Sequence, residues 1–336
     1  MTLNIALIGA GRIGKVHAQT ITTAIPEAQI VSVADYHRAS ASALAEMYSV
    51  GMYTDNHLEA MAVDGVDAVI IASSTDTHAP FIMDAAQAGK HIFCEKPIAV
   101  ALNRIDEALA SVEVAGVQLQ IGFNRRFDPT FARVKQAIGS GEIGVPHLLH
   151  IISRDPAPPP IEYIKVSGGI FFDMSVHDFD MARFLFGDVE EIYSQGAVLV
   201  DPEIGKAGDI DTAIITLKFA NGALGTIDNS RQAVYGYDQR VEAFGSIGSA
   251  SNANIYPDTV TLNTAKSVQR ASLPLNFFLE RYMNSYRIEL QAFVEAIIND
   301  TPVPVTGYDG RVPVVMAMAA QKSLEEHRPV KLAEIG

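Results

Sequence analysis

The sequence predicts two domains: an N-terminal doubly wound parallel sheet of the Rossmann type, and a C-terminal α+β domain with an open, mostly antiparallel sheet and covering helices. A glycine-rich turn joins an apolar run to a helix-like segment close to the N-terminus. Buried runs then alternate with helical patterns as far as about residue 122. Beyond it, strand-like segments separated by Gly or Asn turns dominate. We therefore predict domains at residues 1–122 and 123–336.

The first 35 residues contain a complete pattern for binding a dinucleotide. After an apolar run at 3–8, Gly9, Gly11 and Gly14 follow the spacing G-x-G-x-x-G and lead into a helical segment. The first glycine permits the tight turn, the second lets the backbone approach a pyrophosphate, and the third lets the helix pack on the sheet. The diphosphate is then stabilised by the N–H groups and the dipole of the helix N-terminus, where Arg12 and Ile13 lie.

Asp35 ends the second apolar run, about 20 residues after the last glycine, where a carboxylate accepts both ribose hydroxyls. A carboxylate there repels a 2'-phosphate, so we expect NAD as the cofactor in preference to NADP. Arg38 weakens that preference, because a nearby arginine accommodates the phosphate. Ordinary turn glycines are the alternative, but a strand, helix, second strand and acid in register favour the cofactor site.

Composition limits the partners and the compartment. The chain has 25 basic and 39 acidic residues and a net charge of −14, which argues against nucleic acid or an anionic membrane as a partner. Its one cysteine, Cys94, cannot form an intrachain disulfide and is expected to be a buried small hydrophobe in a protein of the reducing cytoplasm. No apolar run approaches the ~18 residues of a spanning helix, and we expect neither a membrane segment nor a targeting segment.

The elements of the first domain follow the alternation expected of βαβ units. After Asp35 come helices at 39–48, 77–88 and 102–115, and strands at 67–72, 91–94 and 117–121. In the second domain the predicted helices are 129–138, 174–186, 277–299 and 309–327. The predicted strands are 147–153, 192–199, 212–219, 225–230, 239–244, 249–254 and 259–262. The proline run 156–160 is either a linker or a rigid active-site loop.

Lys96 follows the strand 91–94 within the sequence Glu95-Lys96-Pro97. Ligands of open α/β sheets bind at the carboxyl ends of the strands, which places Lys96 beside the predicted nicotinamide. A solvated lysine at a strand end is an equally good interpretation of this residue alone. Pro97 restricts the backbone here, and a cis bond is one way of doing so.

A second candidate cluster lies in the segment 168–184, GGIFFDMSVHDFDMARF. Asp173 and His177 are four residues apart, which puts them on one face of a helix, with the aspartate near its N-terminus. A carboxylate that holds an imidazole in one tautomer is the arrangement of a general base. A capping aspartate beside a buried histidine is the alternative, and too few ligands accompany the pair for a metal site. Asp178 and Asp180 are interpreted as solvated and given no role.

These motifs resemble the glucose-fructose oxidoreductase and inositol dehydrogenase (Gfo/Idh/MocA) family, and among its members the inositol 2-dehydrogenases. The resemblance covers nearly the whole chain. The family-wide motifs are the glycine turn and EKP, while the inositol-type motifs are NRRFDP (124–129), SRDP (153–156) and GGIFFDMSVHD (168–178).

The resemblance implies a role for each matching residue. Lys96 contacts substrate and nicotinamide, and Asp173 with His177 accepts the proton. Four residues line the cofactor: Ser73, Thr75, His78 and Glu95. Three bind substrate hydroxyls: Arg126, Asp155 and Tyr282. Many relatives carry His or Asn where this chain has Asp155, which leaves the substrate open. The resemblance also implies a homotetramer formed through the open sheet.

The expected reaction is therefore NAD-dependent oxidation of a secondary hydroxyl of a cyclitol, myo-inositol to 2-keto-myo-inositol, with His177 as the base and no metal. Two alternatives remain at this stage. One is a dehydrogenase of a pyranose sugar, which shares the chemistry and differs in the pocket. The other is a non-catalytic NAD-sensing protein, which would not need Lys96, Asp173 and His177 together.

Overall fold

A computed structural model describes residues 2–336 and divides the chain into two compact units. The first ends at Phe127 and also contains Met283–Val314; the second comprises Asp128–Tyr282 and Val315–Gly336. The sequence assigned residues 283–314 to the second domain, whereas here they pack with the first unit.

The first unit is built on a six-stranded parallel sheet. In chain order its strands are β1 (Leu3–Ile8), β2 (Ala28–Ala34), β3 (Met52–Thr54), β4 (Ala68–Ile71), β5 (His91–Glu95) and β6 (Leu119–Gly122). Their order across the sheet is β3-β2-β1-β4-β5-β6, so the direction of winding reverses between β1 and β4. This is the doubly wound arrangement in which a dinucleotide binds at the reversal. The predicted fold class of this domain is confirmed, and β3 is the short strand that the sequence did not locate.

Helices cover the strands of this sheet. They are α1 (Arg12–Ala24), α2 (Arg38–Met47), α3 (His57–Met61), α4 (Thr75–Gln87) and α5 (Leu102–Ala115). A 3-10 turn, Asn124–Phe127, follows β6. β4 and the apolar residues of β1 are buried, because helices pack on the sheet. Leu290 and Phe293, from far along the chain, join the same core, which explains why residues 283–314 belong to this unit.

The second unit contains a seven-stranded sheet in the order β12-β11-β7-β10-β9-β8-β15. Its strands are β7 (Pro146–Arg154), β8 (Val189–Ala197), β9 (Thr212–Phe219), β10 (Leu224–Ser230), β11 (Asp238–Gly245), β12 (Ser249–Ser251) and β15 (Val330–Lys331). All neighbours are antiparallel except β7 and β10, which run parallel. The predicted open, mostly antiparallel sheet is thus confirmed. Two further short strands, β13 (Thr261–Leu262) and β14 (Arg270–Ala271), form a separate hairpin.

The remaining helices are α6 (Pro129–Gly139), α7 (Ile161–Ser167), α8 (Val176–Phe186), α9 (Pro202–Lys206), α10 (Phe278–Ile298) and α11 (Gly307–Glu326). A π-helical turn, Phe171–Ser175, leads directly into α8. The sequence predicted one regular helix here, and the wider turn is the local difference. A 3-10 turn, Leu332–Glu334, follows β15. Within residues 2–336, every helix is too short or too polar to cross a membrane.

Candidate active site

The glycine turn after β1 has the geometry that a dinucleotide needs. Gly9 has φ +103°, and a Cβ there would lie 2.5 Å from the carbonyl oxygen of Ala72. A Cβ at Gly14 would lie 1.9 Å from the carbonyl oxygen of Gly9. A Cβ at Gly11 would meet no atom within 4 Å. Two of the glycines are therefore required by packing, while Gly11 borders open space beside the N-terminus of α1, where a diphosphate fits.

Asp35 lies at the end of β2 with both carboxylate oxygens engaged. The backbone N–H of Ala10 donates to Oδ2 at 2.7 Å, and that of His37 donates to Oδ1 at 2.8 Å. The carboxylate is thereby held beside the glycine turn. Each oxygen has a second lone pair, so the carboxylate keeps the capacity to accept ribose hydroxyls.

Arg38 begins α2 and is turned toward a different acid. Its Nη1 lies 3.8 Å from Oδ1 of Asp55, and both side chains are more than half exposed. Its guanidinium also lies over the ring of Tyr53. An exposed pair of this length is weak. Arg38 is therefore not held rigidly beside Asp35.

His78 ties together two loops at the carboxyl edge of the parallel sheet. Its Nδ1 lies 2.8 Å from the carbonyl oxygen of Pro97, and its Nε2 lies 3.1 Å from that of Ser73. Burial lowers the pKa of His78, although both carbonyl contacts oppose this. The neutral ring donates one of these two bonds at a time. Ser73 and Thr75 are half-buried near the start of α4, whereas His78 is 2% exposed beneath them.

Glu95 and Lys96 lie side by side at the end of β5. Oε1 of Glu95 lies 2.7 Å from Nε2 of His17, whose ring is fully buried. A Cβ at Gly122 would lie 3.0 Å from Oε2 of Glu95, so the carboxylate occupies the space over this glycine. Lys96 is half-buried, and the Lys96–Pro97 bond is cis, the geometry that the sequence raised. The glutamate before the candidate catalytic lysine is thus held by a buried imidazole.

Arg126 lies in the 3-10 turn after β6 and forms an ion pair within the first unit. Its Nη2 donates to Oδ1 of Asp309 at 3.1 Å, and its side chain is mostly buried. Burial raises the pKa of Asp309, but Arg126 and Thr306 outweigh this effect, so the pKa is lowered overall. The predicted contact between Arg126 and a substrate hydroxyl stays a prediction.

Asp173 and His177 lie on either side of the junction between the π-helical turn and α8. Both side chains are half-buried. The Tyr163 hydroxyl donates to Oδ1 of Asp173 at 2.8 Å, and Nη1 of Arg231 donates to Oδ2 at 3.1 Å. Both carboxylate oxygens therefore have a donor from outside their own helix.

In the sheet of the second unit, the parallel pairing of β7 and β10 brings two polar residues to the carboxyl ends of these strands. Arg154 and Ser230, the last residues of the two strands, are register partners. Asp155 and Arg231 follow them directly, and the N–H of Asp155 donates to the carbonyl of Ser230 at 3.0 Å. Asp155, the predicted substrate residue, thus directly follows the end of β7, as Arg231 directly follows the end of β10.

Tyr282 lies near the start of α10 and is 2% exposed. Its ring makes an edge contact with Tyr237, with centroids 6.0 Å apart, and lies beneath the guanidinium of Arg281. Arg281 in turn forms a buried ion pair with Asp128, which caps α6. The Tyr282 ring is therefore enclosed by protein atoms, and its predicted role in binding a substrate hydroxyl stays a prediction.

The sequence did not indicate several residues that surround Asp173 and His177. Tyr163 and Arg231 contact Asp173, and Asp178 and Asp180 are buried, so their interpretation as solvated residues is wrong. Asp178 accepts a hydrogen bond from Asn229 at 2.8 Å. A usable signal existed for Arg231, because it directly follows a strand, as Lys96 does. Tyr163 and Asn229 offered none, since their partners lie on other elements.

The first unit has the sheet order, glycine turn and strand-end acid of a dinucleotide-binding domain, and the second carries a carboxylate and imidazole at a helix start. These features define the class of two-domain nicotinamide-dependent oxidoreductases.

Comparison with known proteins identifies the family. Residues 3–123 match the model of the oxidoreductase family with an NAD-binding Rossmann fold, and residues 131–251 match the GFO/IDH/MocA C-terminal domain. The chain belongs to the GFO/IDH/MocA family and is an NAD-dependent oxidoreductase.

Named relatives match along the full length. Myo-inositol 2-dehydrogenase of Thermotoga maritima is 48% identical over 99% of each chain. Inositol 2-dehydrogenase of Rhizobium meliloti is 44% identical over 99% of this chain and 100% of its own. The crystal structure of scyllo-inositol dehydrogenase from Lactobacillus casei, with bound NAD(H) and scyllo-inositol, superposes with a TM-score of 0.93. It is 29% identical and covers 99% of this chain and 100% of that one.

Proposed function

We propose that this protein oxidises a secondary hydroxyl of a cyclitol, converting myo-inositol to 2-keto-myo-inositol with NAD. The observation that carries the proposal is the Asp173–His177 pair in a chain with an intact glycine turn and strand-end lysine. The names of the full-length relatives support an inositol as the substrate.

Each residue of the proposed catalytic set has one task. His177 takes the hydroxyl proton, and Asp173 stabilises the imidazolium that results. Lys96 donates a hydrogen bond to the same oxygen and stabilises the negative charge that develops as the proton leaves. NAD, when bound, supplies the acceptor for the hydride of the carbinol carbon. Arg126, Asp155 and Tyr282 bind the other hydroxyls in this proposal.

The proposed cofactor is NAD in preference to NADP. The open space beside Gly11 fits a diphosphate, and the Asp35 carboxylate beside it disfavours a 2'-phosphate. Ser73, Thr75, His78 and Glu95 belong to the loops at this edge. Ser73 and Thr75 are proposed as direct neighbours of the cofactor, while His78 and Glu95 support the loops that carry it.

Lys96→Ala tests the mechanism. Removal of one preorganised donor to a developing oxyanion should lower kcat by about a hundredfold or more, while NAD still binds. The measurement is NADH absorbance with a panel of inositol isomers and monosaccharides, together with NAD binding by fluorescence titration. Lys206→Ala, which removes an exposed lysine paired with Glu203, is the control.

The panel also separates the alternatives. NADH formation with pyranoses and not with cyclitols would favour a sugar dehydrogenase, and NAD binding without turnover on any polyol would favour a sensor. Wild-type kcat in Lys96→Ala would remove the lysine from the mechanism.

We further propose that the protein is a cytoplasmic homotetramer assembled through the open sheet of the second unit. One sheet face carries exposed apolar side chains, including Ile214 and Leu224, and Leu224 lines a groove of about 460 Å³ in that face together with apolar and polar neighbours. A sheet face that exposes large apolar side chains among polar ones is typical of an interface between protein chains. The single buried thiol, Cys94, fits a reducing compartment.

A further inference from the structure

Asp173 belongs to a chain of charged side chains that includes a fully buried arginine. The Arg231 side chain has no exposed surface; its Nη1 lies 3.1 Å from Oδ2 of Asp173 and its Nη2 lies 3.4 Å from Oδ2 of Asp209. A guanidinium keeps its charge in proteins, so a buried one requires carboxylates beside it. We propose that Arg231, Asp209 and Tyr163 are positioning residues that orient the Asp173 carboxylate and set the charge around His177; this rests on the proposed function.

Asp209 contacts both the backbone segment that leads to Asp173 and the side chain of Arg231. Its Oδ1 accepts the N–H of Ile170 at 3.0 Å, and Ile170 directly precedes the π-helical turn. Gly169 has φ +88°, and a Cβ there would lie 2.9 Å from the same oxygen. One oxygen of Asp209 therefore anchors the start of the turn, and the other anchors Arg231.

Tyr163 donates a hydrogen bond to the other carboxylate oxygen of Asp173. Its hydroxyl donates to Oδ1 at 2.8 Å. Burial, and then the charge of Asp173, raises the pKa of Tyr163, so the phenol keeps its proton at neutral pH. Tyr163 consequently supports the carboxylate and is not itself the base that takes the alcohol proton.

The charges of this cluster do not cancel. Arg231 is shared between two carboxylates, so the group retains an excess negative charge, and a negative environment stabilises an imidazolium. Asp155, in the loop after β7, adds negative charge that acts on Tyr163, and Asp178 and Asp180 are buried in α8 itself. Loss of the Asp209 charge should let Arg231 neutralise Asp173 more fully, so that His177 releases its proton at a lower pH.

Asp209→Asn tests this with little change in shape. We expect kcat to fall roughly tenfold, less than the ~10²-fold that a general base contributes, with NAD binding unchanged. The acid limb of log(kcat/KM) against pH should move to lower pH by about half to one unit, since a more distant charge acts less than an adjacent one. Asp188→Asn, which removes an exposed carboxylate paired with Arg183 in the same unit, should leave both unchanged.

Tyr163→Phe should move the same limb in the opposite direction. Without the phenol donor, less of the negative charge of the Asp173 carboxylate is offset by a hydrogen bond. That charge therefore stabilises the His177 imidazolium more strongly, and the acid limb shifts to higher pH. A merely structural role would not produce shifts of opposite sign in the two variants. If Asp209→Asn does not fold, the half-exposed Tyr163 provides the test, and the absence of any shift in a folded Tyr163→Phe overturns the proposal.

An NMR titration of the His177 ring, identified by loss of its signal in His177→Asn, gives a readout without turnover. The same shifts in midpoint are expected in the two variants without substrate. A wild-type protein inactive on every cyclitol would refute the proposed function and leave this titration to decide the positioning roles. An active wild type, with His177 titrating identically in both folded variants, would overturn the positioning proposal alone.

Discussion

Asp35, Glu95 and Asp173 are three carboxylates that the sequence assigned to binding or catalysis, and each is held by donors within its own unit. Asp35 is held by backbone N–H groups, Glu95 by a histidine 78 residues away, and Asp173 by an arginine 58 residues away. Local patterns identified Asp35, which follows a strand, and Asp173, which lies near the start of a helix, while the family resemblance identified Glu95. They could not identify the partners, because only tertiary packing brings those residues together.

Asp35→Ala should change the cofactor preference. The variant loses acceptors for the ribose hydroxyls and the charge that repels a 2'-phosphate, so the ratio of kcat/KM for NAD to that for NADP should fall roughly tenfold or more. Steady-state rates with both cofactors measure it. Asp55→Ala, which removes an exposed acid beside Arg38, is the control. An unchanged ratio in Asp35→Ala would contradict the ribose role.

At the scale of the element, periodicity predicted most strands and helices well. The strand Thr212–Phe219 has the predicted limits, and the long C-terminal helices differ from prediction by one or two residues at each end. The π-helical turn at Phe171–Ser175 was not predicted, because its wider winding accompanies the tertiary contacts of Asp173 and Ile170. Nor was the parallel pairing of β7 with β10, since strand pattern alone does not specify a partner.

The last two glycines of the G-x-G-x-x-G motif, Gly11 before α1 and Gly14 within it, should respond differently to alanine. Gly14→Ala places a Cβ against the carbonyl oxygen of Gly9 and should destabilise the protein by about 1–3 kcal/mol. Gly11→Ala meets no atom, so we expect near wild-type stability but weaker NAD binding, because the methyl group enters the diphosphate space. Thermal denaturation and NAD titration measure both. Wild-type NAD affinity in Gly11→Ala would place the diphosphate elsewhere.

At the scale of the whole molecule, the acidic charge and the open sheet have separate consequences. A net charge of −14 disfavours polyanionic partners but does not describe how copies of the chain associate. The exposed apolar residues of β9 and β10 lie on one sheet face, because side chains alternate along a strand and the opposite residues are buried. An open sheet was therefore predictable from alternation, whereas the face left uncovered was decided by where the helices pack.

Replacing Ile214 and Leu224 together by Asp should disrupt the proposed tetramer. Carboxylates would then replace exposed apolar side chains and repel one another across the proposed symmetric interface. Light scattering after size-exclusion chromatography should show a shift toward the 36.2 kDa monomer. Val114→Asp, on an exposed position of α5, is the control and should keep the wild-type mass. A monomeric wild-type protein would refute the assembly.

The sequence by itself determined the fold class, the glycine turn, the strand-end acid and the candidate catalytic residues, because each depends on local spacing and on periodic burial. Tertiary structure alone decided which side chains support them. His17 reaches Glu95, Tyr163 and Arg231 reach Asp173, and Asp209 anchors the turn, through contacts that no local pattern encodes. Buried charges need partners, and the fold supplies those partners from whichever strand or loop ends nearest.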